Sequence, residues 1–394
     1  MKDRLRGRRS SGGLEGAFDA LVTEAHTRAA IAGLRALGRS GLAVVGLAPT
    51  RASAGLRSRY CSLSTTGPGV LRDPAAFAAR VAELARAHGP LTVYPVQEEA
   101  IDALFEASPA LPPEVRLPYA GPGPLRILRD KRALPDLAAD AGLTTPRVFA
   151  EGTSAELVEI AVPLPSMIKP VGKGGAIKRP VAVRSDGERR AMLESMPADE
   201  PLLVQERLAG PVIGLAVVID RDGRLVARFQ QISRRTWPPD AGGSSVAVSV
   251  APDDRLASRV VELLKGAGFW GLAQVQFIES ARGPILIDVN PRFYGSMALA
   301  CASGVNLAAA WHAVAGDRRP DPLGNYRVGV TYRWLEADVV AALRGSPGLL
   351  LRRAPAPRVG PFWAADDPLP GLAYAADFVR HGVGKRLHRA GAPR

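Results

Sequence analysis

Two patterns of apolar and polar positions alternate through residues 20–95. Short runs of mostly apolar residues, typical of buried strands, lie at residues 20–23, 42–47 and 91–95. Between them, residues 27–38 and 77–88 carry apolar side chains at helical spacing, and a glycine closes each segment. Strands that alternate with helices form a parallel sheet covered on both faces, so we expect a doubly wound α/β fold here.

The pattern changes after residues 117–124, a proline- and glycine-rich stretch that we interpret as a linker. Residues 125–142 predict one helix with Lys131 near its start, and residues 257–266 predict another. Strand patterns then recur at residues 165–183, 202–206, 214–219, 225–232, 271–278 and 284–289. Turns such as Asp222-Gly223 join neighbouring strands as hairpins, so we expect a mixed, largely antiparallel α+β region.

These patterns divide the chain into four parts. We expect a basic flexible tail over residues 1–17 and the doubly wound domain over residues 18–124. The α+β domain is expected over residues 125–320, with lobes at about 125–205 and 206–320. Residues 321–394 are expected to form a proline-rich, weakly helical C-terminal extension with a basic end.

The composition of the 394 residues is typical of a folded protein, since 47% of them are apolar. The net charge of +13 is concentrated at the ends, with five basic residues in 1–10 and five in 380–394. We interpret both ends as solvated tails; the alternative is a nucleic-acid-binding protein that uses them. No zinc-finger spacing or basic stretch with interleaved aromatic residues supports that alternative, so we do not expect a nucleic-acid partner.

Three further observations limit location and chemistry. No apolar run approaches the ~20 residues of a membrane span, and no apolar segment follows the basic residues 1–13, so we expect neither a membrane partner nor a signal peptide. The two cysteines, Cys61 and Cys301, fit buried thiols in a reducing cytoplasm. The first strand–helix turn, residues 23–27, lacks the glycine fingerprint of a dinucleotide site.

The strand predicted at residues 284–289 ends in polar residues that can bind a metal. Asp288 and Asn290 are two positions apart and therefore share one face. Gln276, on the preceding strand, joins this face if the hairpin register allows. Three oxygen donors on one face suit Mg²⁺, and Arg292 can meet a phosphate with two parallel hydrogen bonds. The alternative is a structural strand that ends in a polar turn.

A glycine-rich turn over residues 170–176 follows a strand that contains Lys169. The central residues of the turn are Gly172, Lys173, Gly174 and Gly175. Glycine lets backbone N–H groups approach a phosphate closely and lysine adds positive charge, although the spacing is not that of a Walker A loop. The alternative is an ordinary hairpin turn, but Lys131 and Lys169 lie ahead of the metal face in the same chain, which favours phosphate binding.

The order of these segments resembles the ATP-grasp superfamily, in particular carboxylate–amine ligases related to carbamoyl-phosphate synthetase. The resemblance covers residues 20–316 and rests on six segments in the family's order. These are residues 129–131, 141–146, 166–170, 204–206, 275–277 and 288–292. The resemblance implies a pre-ATP-grasp domain over residues 18–124 and a two-lobed ATP-grasp domain over residues 125–320.

The resemblance also implies a role for each candidate residue. Contacts with the phosphates or the purine of ATP are implied for Lys131 and Lys169. A loop over the β- and γ-phosphates is implied for Gly172, Lys173, Gly174 and Gly175. A hinge that holds adenine is implied for Gln205, Glu206 and Leu208. Binding of Mg²⁺, or of Mn²⁺ in its place, is implied for Gln276, Asp288 and Asn290. Contact with the transferring phosphoryl group is implied for Arg292, and a substrate-facing loop for Arg234 and Arg235.

The implied reaction has two steps. A substrate carboxylate attacks the γ-phosphorus of Mg-ATP to form an acyl-phosphate, and an amine then displaces phosphate to give an amide or peptide-like bond. The expected partners are ATP, a small carboxylate and an amine. Whether the chain also forms a homodimer stays open. Many relatives carry glutamate at the position of Gln276 and most carry it at that of Asp288. These departures motivate the alternative of a catalytically weakened, regulatory ATP-binding protein.

Overall fold

The computed structural model describes residues 18–171, 176–177, 179–239, 242–320, 324–351 and 355–380. Within these ranges the chain forms three sheets, of five, four and seven strands. The five-stranded sheet comes first in the sequence and the seven-stranded sheet last. The predicted order, a parallel α/β domain followed by an α+β region with largely antiparallel sheets, is therefore confirmed.

The five-stranded sheet is parallel throughout. Its strands are β1 (Ala20–Val22), β2 (Val44–Ala48), β3 (Leu63–Thr66), β4 (Leu91–Tyr94) and β5 (Val115–Arg116). Its helices are α1 (Arg28–Arg39), α2 (Pro74–His88) and α3 (Glu98–Glu106). In the order β3-β2-β1-β4-β5 the chain winds outward from β1 and then returns on its other side. Ligands bind at the carboxyl edge of such sheets near this reversal, which here carries residues 23–28 and 95–99.

Local capping explains where the first helices begin. Thr27 accepts a hydrogen bond from the backbone N–H of Ala30 at the start of α1, over 3.2 Å. Asp73 does the same for Ala76 at the start of α2, where Pro74 occupies the first turn. Both helices begin within three residues of the predicted positions because these signals are local in the sequence.

Two short helices, α4 (Pro122–Arg129) and α5 (Leu134–Asp140), connect the first domain to the rest of the chain. The prediction of one helix over residues 125–142 is therefore wrong at its centre. Pro135 has no N–H to donate, so it is tolerated in the first turn of α5 but not inside a longer helix. The break places Lys131 in the turn between the helices, where it lines the cleft described below.

The four-stranded sheet carries the glycine-rich turn. Its elements are β6 (Val148–Thr153), α6 (Ser154–Glu159), β7 (Ser166–Pro170), β8 (Val181–Val183), α7 (Asp186–Glu194) and β9 (Pro201–Glu206). The strands pair antiparallel in the order β6-β9-β7-β8 around a small core that includes Leu157, Ile168 and Leu193. Because β7 lies beside β9, Lys169 and Glu206 belong to neighbouring strands.

The seven-stranded sheet forms the largest part of the fold. Its strands are β10 (Val212–Ile219), β11 (Leu225–Trp237), β12 (Gly243–Ser249), β13 (Gly271–Ser280), β14 (Gly283–Asn290), β15 (Thr331–Arg333) and β16 (Arg358–Val359). The helices of this part are α8 (Asp254–Gly266), α9 (Met297–Ser303), α10 (Leu307–Ala315), α11 (Leu335–Leu343), α12 (Gly348–Leu351) and α13 (Leu369–Arg380). The order is β14-β13-β10-β11-β12-β15-β16, so two strands of the sheet come from the C-terminal extension.

Residues 233–237 and 243–249 lie on strands of this sheet and do not form the predicted substrate loop. β11 continues to Trp237, so Arg234 and Arg235 lie on a strand, and β12 pairs back along it from Gly243. The register shifts between Ser233 and Thr236 mark bulges around the two arginines. The apolar pattern predicted residues 225–232 of β11 but missed the end of β11 and β12, because polar residues there face the cleft and leave no apolar run to detect.

An aromatic cluster joins the first domain to the seven-stranded sheet. Tyr94, at the end of β4, stacks on Phe293 with ring centroids 5.2 Å apart, and Trp311 of α10 meets both rings edge-on. Gly33 of α1 makes room for Phe293, because a Cβ at this position would lie 2.5 Å from the ring. Helix α1 therefore packs directly on the segment that follows Arg292.

The C-terminal extension is attached to the first domain by two acidic residues. Asp367 is buried and accepts hydrogen bonds from Arg35 Nε over 2.9 Å and from Ser58 Oγ over 2.7 Å. Asp366 is half exposed and pairs with Arg39 over 2.8 Å. This acidic pair therefore has a structural role. The predicted basic tail over residues 1–17, and residues 381–394 of the basic end, lie outside the described residues.

The described part of the chain contains no single helix with the length and apolarity to cross a membrane. Helices α9 and α10 are long and apolar enough only when taken together, and they meet at an angle of 100°. Most of their residues are buried in the protein core.

Candidate active site

A cleft of about 2350 Å³ lies between the three sheets. Its walls come from the carboxyl edge of the first domain, from α4 and the turn after it, from β7 and from the seven-stranded sheet. One lining residue from each wall, in the same order, is Glu98, Lys131, Lys169 and Asp288. A cleft of this size, with charged groups that converge on it, is the expected location of a ligand site.

Asp288 lies at the centre of a network of charged and amide groups. The Lys131 ammonium donates to Oδ1 of Asp288, and Asn290 donates from Nδ2 to Oδ2 over 3.0 Å. Arg292 donates in turn to Oδ1 of Asn290 over 3.0 Å. The structure thus brings four of the residues singled out in the sequence into one chain of contacts.

The two-residue period of β14 explains this arrangement. Asp288 and Asn290 share a face of the strand, and Gln276 of β13 pairs directly with Asp288 across the hairpin. The sequence left this register open, and the structure shows that Gln276 and Asp288 both line the cleft. Asn290 is buried behind them.

Three cationic side chains act on the single carboxylate of Asp288. Burial, together with the charge of Lys131, lowers the pKa of Lys169 to about 8, although Asp288 opposes the shift. Burial acts to raise the pKa of Asp288, but the charges of Lys131, Lys169 and Arg292 outweigh it and the pKa lies below its ordinary value. A bound anion would relieve this excess of positive charge.

The groups that hold Arg292 were not among the predicted site residues. Glu98, at the start of α3, accepts a hydrogen bond from Arg292 over 3.0 Å and lies 3.8 Å from Nη1 of Arg129. Arg129 donates to Asp102 over 2.5 Å. Burial lowers the pKa of Arg292, and Asp288 opposes this shift. The available signal was the acidic pair Glu98-Glu99 shortly after β4, which falls in a helix that the apolar pattern did not predict.

The residues predicted to hold adenine lie where β9 ends and the chain enters the seven-stranded sheet. Glu206 and Leu208 line the cleft, whereas Gln205 is buried and does not line it. The Glu206 carboxylate accepts hydrogen bonds from Arg282, on the β13–β14 turn, over 2.6 and 2.7 Å. Burial acts to raise the pKa of Glu206, but Arg282 outweighs it and the pKa is lowered. Glu206 thus joins the two sheets.

The glycine-rich turn between β7 and β8 is described only in part. Its predicted phosphate-binding residues, Gly172, Lys173, Gly174 and Gly175, lie outside the described residues. The flanking residues Val171 and Ile177 both line the cleft.

Arg234 and Arg235 line the cleft from β11, three strands away from Asp288 in the sheet order. Arg235 pairs with the buried Asp338 of α11, which also accepts a hydrogen bond from Arg333 over 2.7 Å. Arg234 is exposed. The structure does not bring these two arginines into the network around Asp288.

Arg28 is a further cleft residue that was not predicted. It is the first residue of α1, and its guanidinium lies over the ring of Trp334, with Cζ 3.6 Å from the ring centroid. It also donates to the hydroxyl of Tyr332 over 3.0 Å. Both aromatic residues belong to the C-terminal extension, so only the folded chain brings them to Arg28.

The donor set around Asp288 fits Mg²⁺ on chemical grounds. One carboxylate and two amide groups offer hard oxygen ligands, and Mg²⁺ commonly completes its shell with water and nucleotide phosphates. The described residues contain no group of three His, Cys, Asp or Glu side chains arranged for a metal, so a protein-only cage is not what this site offers. The Lys131 ammonium contacts Oδ1 of Asp288, the oxygen that a metal ion would use as a ligand. Lys131 would therefore compete with the metal for Asp288.

Comparison with known proteins identifies the fold. Residues 198–337 match a family model described as ATP-grasp in the biosynthetic pathway with Ter operon. The structure is similar to biotin carboxylase from Campylobacter jejuni, with a TM-score of 0.63 and 14% identity over 80% of this chain and 74% of that one. It is also similar to an L-amino acid ligase from Bacillus licheniformis, with a TM-score of 0.61 and 16% identity over 81% of this chain and 80% of that one.

The chain also resembles curated proteins in sequence. A D-alanine–D-alanine ligase from Corynebacterium efficiens is 28% identical over 194 residues, which are 44% of this chain and 54% of the relative. The chain thus spans about half the length of the curated relatives it matches. The resemblance to the ATP-grasp superfamily is confirmed by the family match and by the fold.

Proposed function

The chain has the ATP-grasp fold, and we propose that it is a Mg-ATP-dependent ligase that activates a carboxylate and joins it to an amine. The observation that carries this proposal is the group of Lys131, Lys169 and Arg292 around Asp288 on the wall of the cleft. The similarity to D-alanine–D-alanine ligases and to an L-amino acid ligase favours an amino acid as the activated carboxylate.

Lys131 and Lys169 are the proposed phosphate contacts. Phosphoryl transfer asks a protein mainly for positioning and for neutralisation of charge, which two ammonium groups in one cleft supply. Lys169 has a lowered pKa because it is buried beside another cation, and an approaching phosphate would favour its charged form. Lys131 would exchange its contact with Asp288 for one with the nucleotide.

Gln276, Asp288 and Asn290 are the residues that would hold Mg²⁺, which when bound neutralises charge on the phosphates. Transfer of Lys131 to a phosphate frees Oδ1 of Asp288 for this role. Leu208 and the backbone beside Glu206 would contact adenine, while the Glu206 carboxylate stays on Arg282.

Arg292 would stabilise the transferring phosphoryl group. Glu98 and Asn290 hold its guanidinium, so it loses little freedom when it binds an anion. In the first step, a substrate carboxylate oxygen bonds to the γ-phosphorus as the bond to ADP breaks. In the second step, the amine nitrogen bonds to the acyl carbon, the carbon–oxygen bond to phosphate breaks, and the amine releases a proton.

The test is ADP release by the full chain with MgATP and a pool of amino acids. We expect the pool to stimulate ADP release, and we expect Asp288→Asn to lower the stimulated rate at least about 100-fold, because Asp288 is the one carboxylate among the three proposed metal ligands. Asp140→Asn is the matched control, since Asp140 is exposed at the end of α5 and does not line the cleft.

Stimulated turnover in Asp288→Asn close to that of the intact chain would refute the assignment of the site. MgATP binding without stimulated ADP release for any member of the pool would favour the regulatory alternative, which the contact between Lys131 and Asp288 also motivates.

A further inference from the structure

A further cationic residue of the cleft, Arg28, has no part in the proposed phosphoryl transfer. Arg28 lies over Trp334, and its Nη1 donates to the hydroxyl of Tyr332 over 3.0 Å and to the carbonyl of Ser244 over 3.5 Å. The Tyr332 hydroxyl donates to the carbonyl of Gly295 over 3.1 Å. These contacts hold the guanidinium in one place on the cleft wall.

The remaining donors of Arg28 form an open fork. Both of its hydrogen bonds to described residues use Nη1, which leaves Nε and Nη2 without a partner in the described part of the chain. These two nitrogens point their N–H groups in parallel, which matches the two oxygens of a carboxylate. Arg28 itself lines the cleft, so the fork is within reach of a ligand there.

Gly295 lies over one face of the Arg28 guanidinium. A Cβ at residue 295 would lie 3.2 Å from Nη2, 3.4 Å from Cζ and 3.8 Å from Nε, so it would meet the face of the planar group and not its Nε–Nη2 edge. The backbone at Gly295 does not require glycine, because its φ is not in the left-handed region. The missing side chain therefore lets the chain pack closely on the guanidinium, which helps to hold Arg28 in place.

Strand spacing separates Arg28 from the proposed metal ligands Gln276, Asp288 and Asn290. Ser244 lies on β12, four strands from Asp288 on β14, which corresponds to about 19 Å across the sheet. Gly295 is only three residues beyond Arg292, at most about 10 Å of extended chain. Arg28 is therefore too far from Asp288 to share its phosphate, yet a small molecule bound at Arg292 can extend to it.

We propose that Arg28 binds the free carboxylate of the amine co-substrate, so that the acceptor in the ligation is an amino acid. This inference rests on the proposed ligase function. The amine of such an acceptor would face the acyl-phosphate beside Arg292, and its carboxylate would lie on the Arg28 fork. Tyr332 and Trp334 position Arg28, which gives the C-terminal extension a part in substrate recognition.

The first test measures binding and needs no turnover. The full chain, with a non-hydrolysable MgATP analogue, is dialysed against a ¹⁴C-labelled amino acid mixture. We expect retention of label that falls at least about tenfold in Arg28→Met and partly in Arg28→Lys, because an ammonium lacks the fork. Arg86→Met, an exposed arginine on α2, is the matched control and should retain label like the intact chain.

Competition identifies the group that Arg28 binds. Excess unlabelled amino acids should displace the label, whereas their carboxamides should not. No retention by the intact chain, equal retention by Arg28→Met, or displacement by carboxamides would each overturn the proposal. Binding of inorganic phosphate that depends on Arg28, without amino acid retention, would also overturn it. Retention without ADP release would instead refute the ligase function and support the Arg28 site.

The second test separates positioning from folding. Gly295→Ala should weaken retention because the added methyl group would push the guanidinium from its place on the cleft wall. Trp334→Leu should weaken it about 2- to 10-fold through loss of the cation–π contact, and Trp334→Phe should restore most of it because a ring remains. Equal retention in the leucine and phenylalanine variants would show that stacking on an aromatic ring does not position Arg28. Tm values measured for all variants identify any that lose binding through unfolding.

Discussion

Lys169 is a cation that the fold keeps largely out of water beside a second cation. Burial and the charge of Lys131 lower its pKa from 10.5 to about 8, and no hydrogen bond to a described residue offsets the cost. Between these two pH values the unfolded chain binds a proton that the folded chain has released. The contribution of Lys169 to stability therefore rises with pH across this window and is unfavourable below it.

Replacement of Lys169 by methionine should stabilise the ligand-free protein. At pH 7 we expect the free energy of unfolding to increase by up to about 3 kcal/mol, from the pKa shift at 1.36 kcal/mol per unit, and the gain should shrink toward pH 10. MgATP affinity should fall in the same variant, because a phosphate contact is lost. Urea unfolding at pH 7 and pH 10, with nucleotide titration, measures both effects.

Lys265→Met is the control for this prediction, since Lys265 is an exposed lysine paired with Glu262 on α8. Its effect on stability should be small and should not follow pH in the same way. A Lys169→Met protein that is less stable than the intact chain at pH 7, or that binds MgATP unchanged, contradicts the assigned role of Lys169.

The sequence predicts which site residues lie together when they are close to one another along the chain. Asp288 and Asn290 share a face because a strand has a period of two, and the hairpin adds Gln276. Glu98 and Arg28 could not be found in this way. Each follows a strand of the first domain, and it reaches the cleft only because Tyr94, Phe293 and Trp311 pack that domain on the large sheet.

Elements with a strong apolar pattern are predicted well, and those that line the cleft are not. β1, β2, β4, β10, β13 and β14 are buried strands that the apolar runs locate within a few residues. β12 and the end of β11 expose polar side chains to the cleft, so their pattern resembles a loop. The prediction of one helix over residues 125–142 is wrong because Pro135 restarts the helix.

The C-terminal extension is held on α1 by contacts of Asp366 and Asp367, which substitution can test. Asp367→Asn should lower the free energy of unfolding by about 3–5 kcal/mol, because the buried guanidinium of Arg35 loses its carboxylate. Asp366→Asn should cost at most about 1 kcal/mol, because its pairs with Arg39 and Tyr60 are exposed. Urea unfolding of both variants measures the difference.

The two positions provide a matched pair, since they are adjacent aspartates that both bind arginines of α1. Hydrogen bonds from Arg39, with a contribution from Tyr60, lower the pKa of Asp366 to about 2. If both variants lose the same stability, burial of Asp367 is not what fastens the extension.

At the scale of the whole molecule, three sheets enclose one cleft and each contributes a different kind of group. The parallel sheet supplies Arg28 and Glu98 at its carboxyl edge, the four-stranded sheet supplies Lys169, and the seven-stranded sheet supplies the face around Asp288. The C-terminal extension adds two strands to the largest sheet and the aromatic groups beneath Arg28. The division into domains at residues 124 and 320 stays a prediction.

Activation of a carboxylate by transfer of a phosphoryl group leaves an isotope signature in the phosphate that is released. The full chain is incubated with MgATP and an amino acid pool labelled with ¹⁸O in its carboxyl groups. We expect inorganic phosphate that carries one ¹⁸O atom, because the amine breaks the bond between the acyl carbon and the bridging oxygen. Release of ADP with phosphate that contains no ¹⁸O would contradict this expectation.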